Sequence, residues 1–244
     1  MKAAVFISHG SRTDEGNKQF ITFIRQVLDR TPLPIVVYGF LENARPTVME
    51  AVENCIRRGA TEIFVIPVLL LPGIHANLDI PQILEKAQQK HPGIGILYGK
   101  PLGINGIMVD IIEERLRSKG YTGSRDEAIL LVGHGSRDPQ AAVEFETLAG
   151  IMRRKTAARV ETAYITTSPF YAGKCSQLLS SQVRKVYLLP YLLFTGGFAV
   201  KMEENAQEIS RLNPRNEVIV CEPVGFDGRL QELLVNRAVE AGIL

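Results

Sequence analysis

The chain has 244 residues, 45% of them hydrophobic and 22% charged, with a formal net charge of +2. That length suits one large domain or two of about 120 residues, and the near-neutral balance is far from the basic surface of a nucleic-acid binder. Cys55, Cys175 and Cys221 stand apart in apolar contexts with no CxxC spacing. They read as reduced core thiols of a cytoplasmic protein.

Ala3–Ile7 is a continuous apolar run, as expected of a strand buried on both faces of a parallel sheet. The chain enters it at once, so no signal peptide is expected. The polar stretch Ser8-His9-Gly10-Ser11-Arg12 follows, and Asn17–Arg30 shows helical spacing through Phe20, Phe23, Ile24, Val27 and Leu28. After Pro32 and Pro34, Ile35–Phe40 predicts a second strand. It leads through Leu41-Glu42-Asn43-Ala44-Arg45 to Pro46, which suits the first turn of a helix ending at Gly59. Glu62–Leu71 predicts a third strand. Its apolar part, Ile63 to Leu71, is too short to span a bilayer, which takes about 20 residues. Gly73 to His75 lie just beyond it, Asp79 or Asn77 can cap a helix over Pro81–Lys90, and Ile94–Tyr98 predicts a fourth strand. A helix over Ile104–Lys119 and a linker near Gly120–Arg125 close the first half.

The order then repeats. Gly133-His134-Gly135-Ser136-Arg137 follows the apolar run Ile129–Val132, 125 residues after its first copy. Pro46 and Pro169, and Pro67 and Pro190, are 123 apart, and Pro101-Leu102-Gly103 matches Pro223-Val224-Gly225 at 122. Strands are expected over Ala128–Val132, Val160–Ile165, Lys185–Leu193 and Glu217–Val220, with helices near 140–154, 171–181, 200–211 and 228–240. This is a tandem duplication divided as 1–122 and 123–244. Alternating strands and helices imply the α/β class: two tandem flavodoxin-like, doubly wound, parallel four-stranded sheets. Ligands of such folds sit beyond the carboxyl ends of the strands.

In the usual order 2-1-3-4, the loops after the three adjacent strands carry His9 to Arg12, Glu42 to Arg45 and Gly73 to His75. Strands about 4.8 Å apart let two imidazoles and a carboxylate converge within roughly 10 Å. His, His and Glu suit a borderline divalent ion such as Fe²⁺, Co²⁺ or Ni²⁺, with open positions left on it. Blander readings exist: a histidine after a strand can be a turn residue, and Glu42 can favour a helix N-terminus. His91, before Pro92 at a helix end, reads as structural. The second half keeps His134 but sets Phe198 opposite His75, and Ile165 or Thr166 opposite Glu42. One site, in the first half, is therefore expected. Glycines at 10, 73, 135, 196 and 197 allow close backbone approach, and Thr195-Gly196-Gly197 faces the first site if the halves pack with loops opposed. The degenerate second half would then form the other wall of a cleft.

The Ser8–Arg12 stretch, Gly39-Phe40-Leu41-Glu42 before Pro46, and Leu70 to His75 with Asp79-Ile80-Pro81 resemble the sirohydrochlorin chelatases, the class II chelatases of siroheme and cobalamin synthesis. The likeness spans both halves and resembles the long, duplicated form, especially the sirohydrochlorin ferrochelatases. It implies insertion of Fe²⁺, or possibly Co²⁺ or Ni²⁺, as a substrate without ATP or a permanently bound cofactor. It also implies that His9, Glu42 and His75 are the catalytic residues and metal ligands, with Glu42 binding metal or receiving a pyrrole proton. Neutral imidazole serves both as ligand and as base near neutral pH. The polycarboxylate substrate needs cations and amides, for which Ser11, Arg12, Arg45, Gly73, His134, Ser136, Arg137 and Lys201 are candidates. A monomer of two pseudo-symmetric halves, with no nucleic-acid or membrane partner, is expected. The competing readings are a cobaltochelatase and a non-catalytic metal or tetrapyrrole carrier. A histidine phosphatase is disfavoured, because Ser8 and Gly133 stand where an arginine would precede the histidine.

Overall fold

A computed structural model describes residues 1–194 and 196–240. Within the first half the elements are β1 (Lys2–Ser8), α1 (Asp14–Arg30), β2 (Ile35–Phe40), α2 (Val48–Arg57), β3 (Glu62–Val68), α3 (Ile80–Lys90), β4 (Gly95–Tyr98) and α4 (Gly106–Ser118). The second half gives β5 (Glu127–Gly133), α5 (Pro139–Lys155), β6 (Arg159–Tyr164), α6 (Tyr171–Leu179), β7 (Lys185–Pro190), α7 (Gly196–Leu212), β8 (Glu217–Val220) and α8 (Arg229–Glu240). The strands form two parallel sheets, ordered β2-β1-β3-β4 and β6-β5-β7-β8, as the α/β repeat predicts.

Register decides where the polar loops emerge. Ser8, the last residue of β1, pairs with Phe40 at the end of β2 and with Val68 at the end of β3. Three loops therefore leave the sheet flush at one edge. In the second sheet Gly133 pairs with Tyr164, and Val132 with Pro190. Backbone bonds hold the first two loops together in both copies. Leu41 N–H donates to Ser8 O (2.8 Å) and Glu42 N–H to His9 O (3.0 Å); Ile165 and Thr166 bond Gly133 and His134 in the same way, both at 3.0 Å. Thr166, not Ile165, is thus the counterpart of Glu42.

Alternation along β1 sends Ala3, Val5 and Ile7 to one face of the first sheet. There they pack with Val48, Ala51, Val52 and Cys55 of α2 and Ile80, Leu84 and Ala87 of α3. On the other face α8 packs against α1 and β3, and Phe226 lies 5.2 Å from Phe23 and 5.8 Å from Phe20, ring to ring. The last helices are therefore exchanged. One compact unit comprises Met1–Gly103 with the segment from Phe226 onward, and the other Ile104–Gly225, in which α4 packs on β7. The chain leaves each unit at a glycine in the left-handed region, Gly103 (φ 66°) and Gly225 (φ 61°). The repeat in sequence, expected as 1–122 and 123–244, and the compact units in space are different divisions of the chain.

Several local expectations shift. Pro46 is not in the first turn of α2. Thr47 caps that helix, accepting from Glu50 N–H while the Glu50 carboxylate accepts from Thr47 N–H, a capping box. The cap bonds at that terminus come from Thr47 and Glu50, not from Glu42. Asp79 makes no cap for α3. The third strand stops at Val68, not Leu71, and α7 begins at Gly196, not near 200. The three cysteines are free and buried, and burial pushes the thiols up to about 11 for Cys55 and about 12 for Cys175 and Cys221. They stay protonated and are poor metal ligands. Among the described residues no helix is long and apolar enough to cross a membrane.

Candidate functional site

The loop after β1 is shaped by Gly10, whose φ of 92° lies in the left-handed region. A Cβ there would meet Glu42 O at 1.8 Å, so the β1 and β2 loops can close on each other only because this residue is glycine. Ser11 and Asn17 then lock the loop. Ser11 N–H donates to Asn17 Oδ1 (2.7 Å), and Asn17 Nδ2 returns a bond to Ser11 O (2.9 Å).

His75 is presented differently, on a single π-helical turn, His75–Asp79, that runs into α3. Pro81 supplies the physical reason. It has no N–H for the carbonyl of Asn77 four residues back and its ring crowds that carbonyl, so the preceding turn widens, and Ile80 N–H reaches back to His75 O. On this turn His75 and Asp79 share a face. His75 Nδ1 lies 2.7 Å from Asp79 Oδ2.

These supports bring the expected residues together. His9 Nε2 is 3.2 Å from His75 Nε2 and 3.2 Å from Glu42 Oε1. The two rings stand edge to face, centroids 4.6 Å apart and planes at 77°. Asn43, with φ of 63°, donates from Nδ2 to Glu42 Oε1 (3.2 Å). The cluster is open: the side chains of His9, Glu42 and His75 are 34%, 51% and 47% exposed.

Proton placement follows from the outer partners. His9 Nδ1 lies 3.0 Å from Gly10 O, which can only accept, and His75 Nδ1 faces the Asp79 carboxylate. These outer acceptors favour, for each neutral ring, the tautomer with its hydrogen on Nδ1 and its lone pair on Nε2. Two lone pairs and a carboxylate oxygen then meet with no donor among them, an arrangement that calls for a cation. Two nitrogens bound to one tetrahedral ion at about 2.05 Å would lie roughly 3.3 Å apart, close to the 3.2 Å observed. The donors converge on His9 Nε2 rather than closing round a shared centre. Among the described residues no group of three or more His, Cys, Asp or Glu could by itself hold an ion. The three side chains are open to solvent and do not form a closed cage.

The other candidate residues fall outside this cluster or are engaged elsewhere. The Ser11 hydroxyl bonds Thr13, accepting from its N–H at 3.1 Å. Arg45 pairs with Glu50 at 2.5 Å. The Gly73 carbonyl accepts from Asn77 N–H (2.8 Å). Arg12, Arg137 and Lys201 are exposed. The Ser136 hydroxyl accepts from Asp138 N–H (3.0 Å). His134 keeps its Nδ1 partner, Gly135 O at 3.2 Å, but its ring faces Phe198, not a second imidazole. Thr195 lies outside the described residues. The sequence offers Asp79 or Asn77 as a helix cap; the structure instead sets the Asp79 carboxylate against His75 Nδ1. The i, i+4 spacing of His75 and Asp79 on helical backbone was the available signal.

The CbiX family model matches residues 3–119 and again 128–241. A sirohydrochlorin ferrochelatase of Priestia megaterium is 34% identical over 96% of this chain and 88% of its own length. A sirohydrochlorin cobaltochelatase of the same organism is 32% identical over 98% and 80%. Among solved structures, SirB from Bacillus subtilis with Fe³⁺ superposes with a TM-score of 0.87 at 27% identity, over 98% of this chain and 95% of that one. SirB of B. subtilis subspecies spizizenii in complex with cobalt gives 0.83 at 28%, over 98% and 94%. With both halves matched and the duplicated α/β architecture shared along the whole length, the chain belongs to the CbiX family of sirohydrochlorin chelatases, in its long, duplicated form.

Proposed function

We propose that this protein is a sirohydrochlorin ferrochelatase that inserts Fe²⁺ into sirohydrochlorin, with release of two protons, as the final step of siroheme biosynthesis. The observation that carries the reading is the pair of Nε2 atoms, 3.2 Å apart beside Glu42 at the edge where the strands end. The metal is a substrate, so a good site must hold it and then let it go. Two imidazoles and one carboxylate, open on the remaining side, serve that purpose better than a closed thiolate cage. The macrocycle loses two pyrrole protons as the ion enters, so charge and atoms balance: one divalent ion in, two protons out. His9 and His75 take up the ion. As the ion passes to the macrocycle, their Nε2 atoms are free to accept protons, and Glu42 is a further exposed acceptor. Arg12, exposed on a loop of the same unit, is a cation that can meet a substrate carboxylate, and Arg45 can do so only by sharing its guanidinium with Glu50.

Iron is taken as the first reading because two relatives matched over nearly the whole of this chain are named ferrochelatases and one is named a cobaltochelatase. The near-equal identities, 34% and 32%, keep cobalt insertion as the second reading. A competition assay decides. Sirohydrochlorin is offered equimolar Fe²⁺ and Co²⁺ under anaerobic conditions and the products are followed by absorbance. Faster iron insertion supports the ferrochelatase; a preference for cobalt transfers the assignment; metal binding without turnover makes the protein a carrier.

A further inference from the structure

Asp79 has no structural task that accounts for its position. It stands where a cap for α3 would stand, yet its side chain caps nothing. Its carboxylate makes one hydrogen bond among the described residues, to His75 Nδ1 at 2.7 Å. The duplication supplies an internal control. At the offset of 123 that places Phe198 opposite His75, Met202 stands opposite Asp79. Met202 is 1% exposed and packs into the core of its unit. Imidazole and carboxylate are thus both absent from the second copy. His134, the counterpart of His9, is kept together with its own Nδ1 acceptor. In this chain an imidazole at these loops comes with the partner that fixes its tautomer.

We infer that Asp79 is a positioning residue for the metal-bearing face of His75. By accepting the Nδ1–H bond it holds the hydrogen on Nδ1, orients the ring on the π-helical turn and keeps the Nε2 lone pair directed at the incoming ion. Histidine ligands are commonly supported in this way, and loss of the support typically costs 10–100-fold in metal affinity or activity. The inference rests on the reading of His75 as a metal ligand.

The test is a titration of the full chain with Co²⁺ alone, followed by the visible absorption of the bound ion, for wild type, Asp79→Ala, Asp79→Asn and His75→Ala. Steady-state insertion at varied Co²⁺ accompanies it. Asp79→Ala is expected to weaken Co²⁺ binding by about 10–100-fold and to raise the KM for metal more than it lowers kcat. Asp79→Asn, isosteric and still able to accept through its amide oxygen, is expected to lose less, and it carries the test if the alanine variant melts early. Binding that depends on His75 but is unchanged in both Asp79 variants overturns the inference alone. Binding that His75→Ala leaves intact overturns the ligand reading, and this inference with it.

Discussion

Phe198 stands to His134 as His75 stands to His9. The ring centroids are 5.6 Å apart with planes at 78° in the second unit, and 4.6 Å with 77° in the first. The duplication has kept the edge-to-face placement of two rings and changed the chemistry of one. Thr166, at the Glu42 position, spends its hydroxyl on His134 O at 2.7 Å. Restoring two of the missing groups, the second imidazole and the Glu42 carboxylate, should therefore rebuild a metal site on existing backbone. Phe198→His with Thr166→Glu is expected to raise Co²⁺ stoichiometry from one ion per chain to two, read by equilibrium dialysis. A ratio that stays at one would mean that the second scaffold no longer presents its loops as the first does.

The same asymmetry predicts unequal effects of single truncations. His9→Ala and His75→Ala each remove a lone pair from the convergence and are expected to lower the insertion rate by more than about 100-fold, since loss of an outer partner alone commonly costs 10–100-fold. Circular dichroism should be unchanged, because neither ring is part of the core. His134→Ala should retain most activity. An equal loss in all three would show that both halves share the chemistry, and near-wild-type rates for His9→Ala and His75→Ala would sink the assignment.

Strand order and the three converging residues were legible in the chain, because a buried parallel strand leaves an unbroken apolar run and the loop after it carries the polar residues. Knowing that β1 lies between β2 and β3 is enough to bring His9, Glu42 and His75 to one edge. The contact between Asp79 and His75 was hidden by Pro81, which looks like an ordinary helix start yet follows a widened turn. The exchange of α4 and α8 was hidden for another reason. An apolar face such as Met108, Ile111, Ile112 and Leu116 shows that a helix is covered, not which sheet covers it. The counterpart of Glu42, ambiguous by one residue in sequence, needed the backbone bond from Thr166 N–H to His134 O.

Gly10 and Gly135 allow a paired test of the loop geometry. Both have φ near 100°, at 92° and 103°, so alanine is strained at either position. The surroundings differ. At Gly10 a Cβ would lie 1.8 Å from the backbone oxygen of Glu42; at Gly135 it would meet the Thr166 and Thr167 hydroxyls at 2.7 and 2.6 Å and Thr167 N at 3.2 Å, and relief there costs the Thr166 bond to His134 O rather than a backbone shift at a cluster residue. Gly10→Ala should cost about 3 kcal/mol or more and depress insertion, because relief of the clash separates Glu42 from His9. Gly135→Ala should cost roughly 1–2 kcal/mol and leave insertion largely intact. Thermal unfolding with parallel rate assays distinguishes the two, and equal losses would show that backbone strain, not the Glu42 contact, governs both sites.

The loop that carries Glu42 is tied down at its far end by Glu50, and this makes its anchorage sensitive to acid. The Thr47 N–H bond, and secondarily the Thr47 side chain and the Arg45 guanidinium, hold the Glu50 carboxyl below its ordinary value of 4.5. A carboxylate whose pKa is depressed by folding stabilises the native state fully above its unfolded pKa, and loses that contribution as pH falls through the folded one. Wild type and Glu50→Gln should therefore differ in stability at pH 7, and the gap should narrow as pH drops below about 4.5 and close in stronger acid. Gln keeps an acceptor for Thr47 N–H, so what is lost is the charge. Chemical denaturation from pH 7 down to pH 3 measures the gap directly. One that persists undiminished at pH 3 would show that the side chain acts through its shape rather than its ionisation.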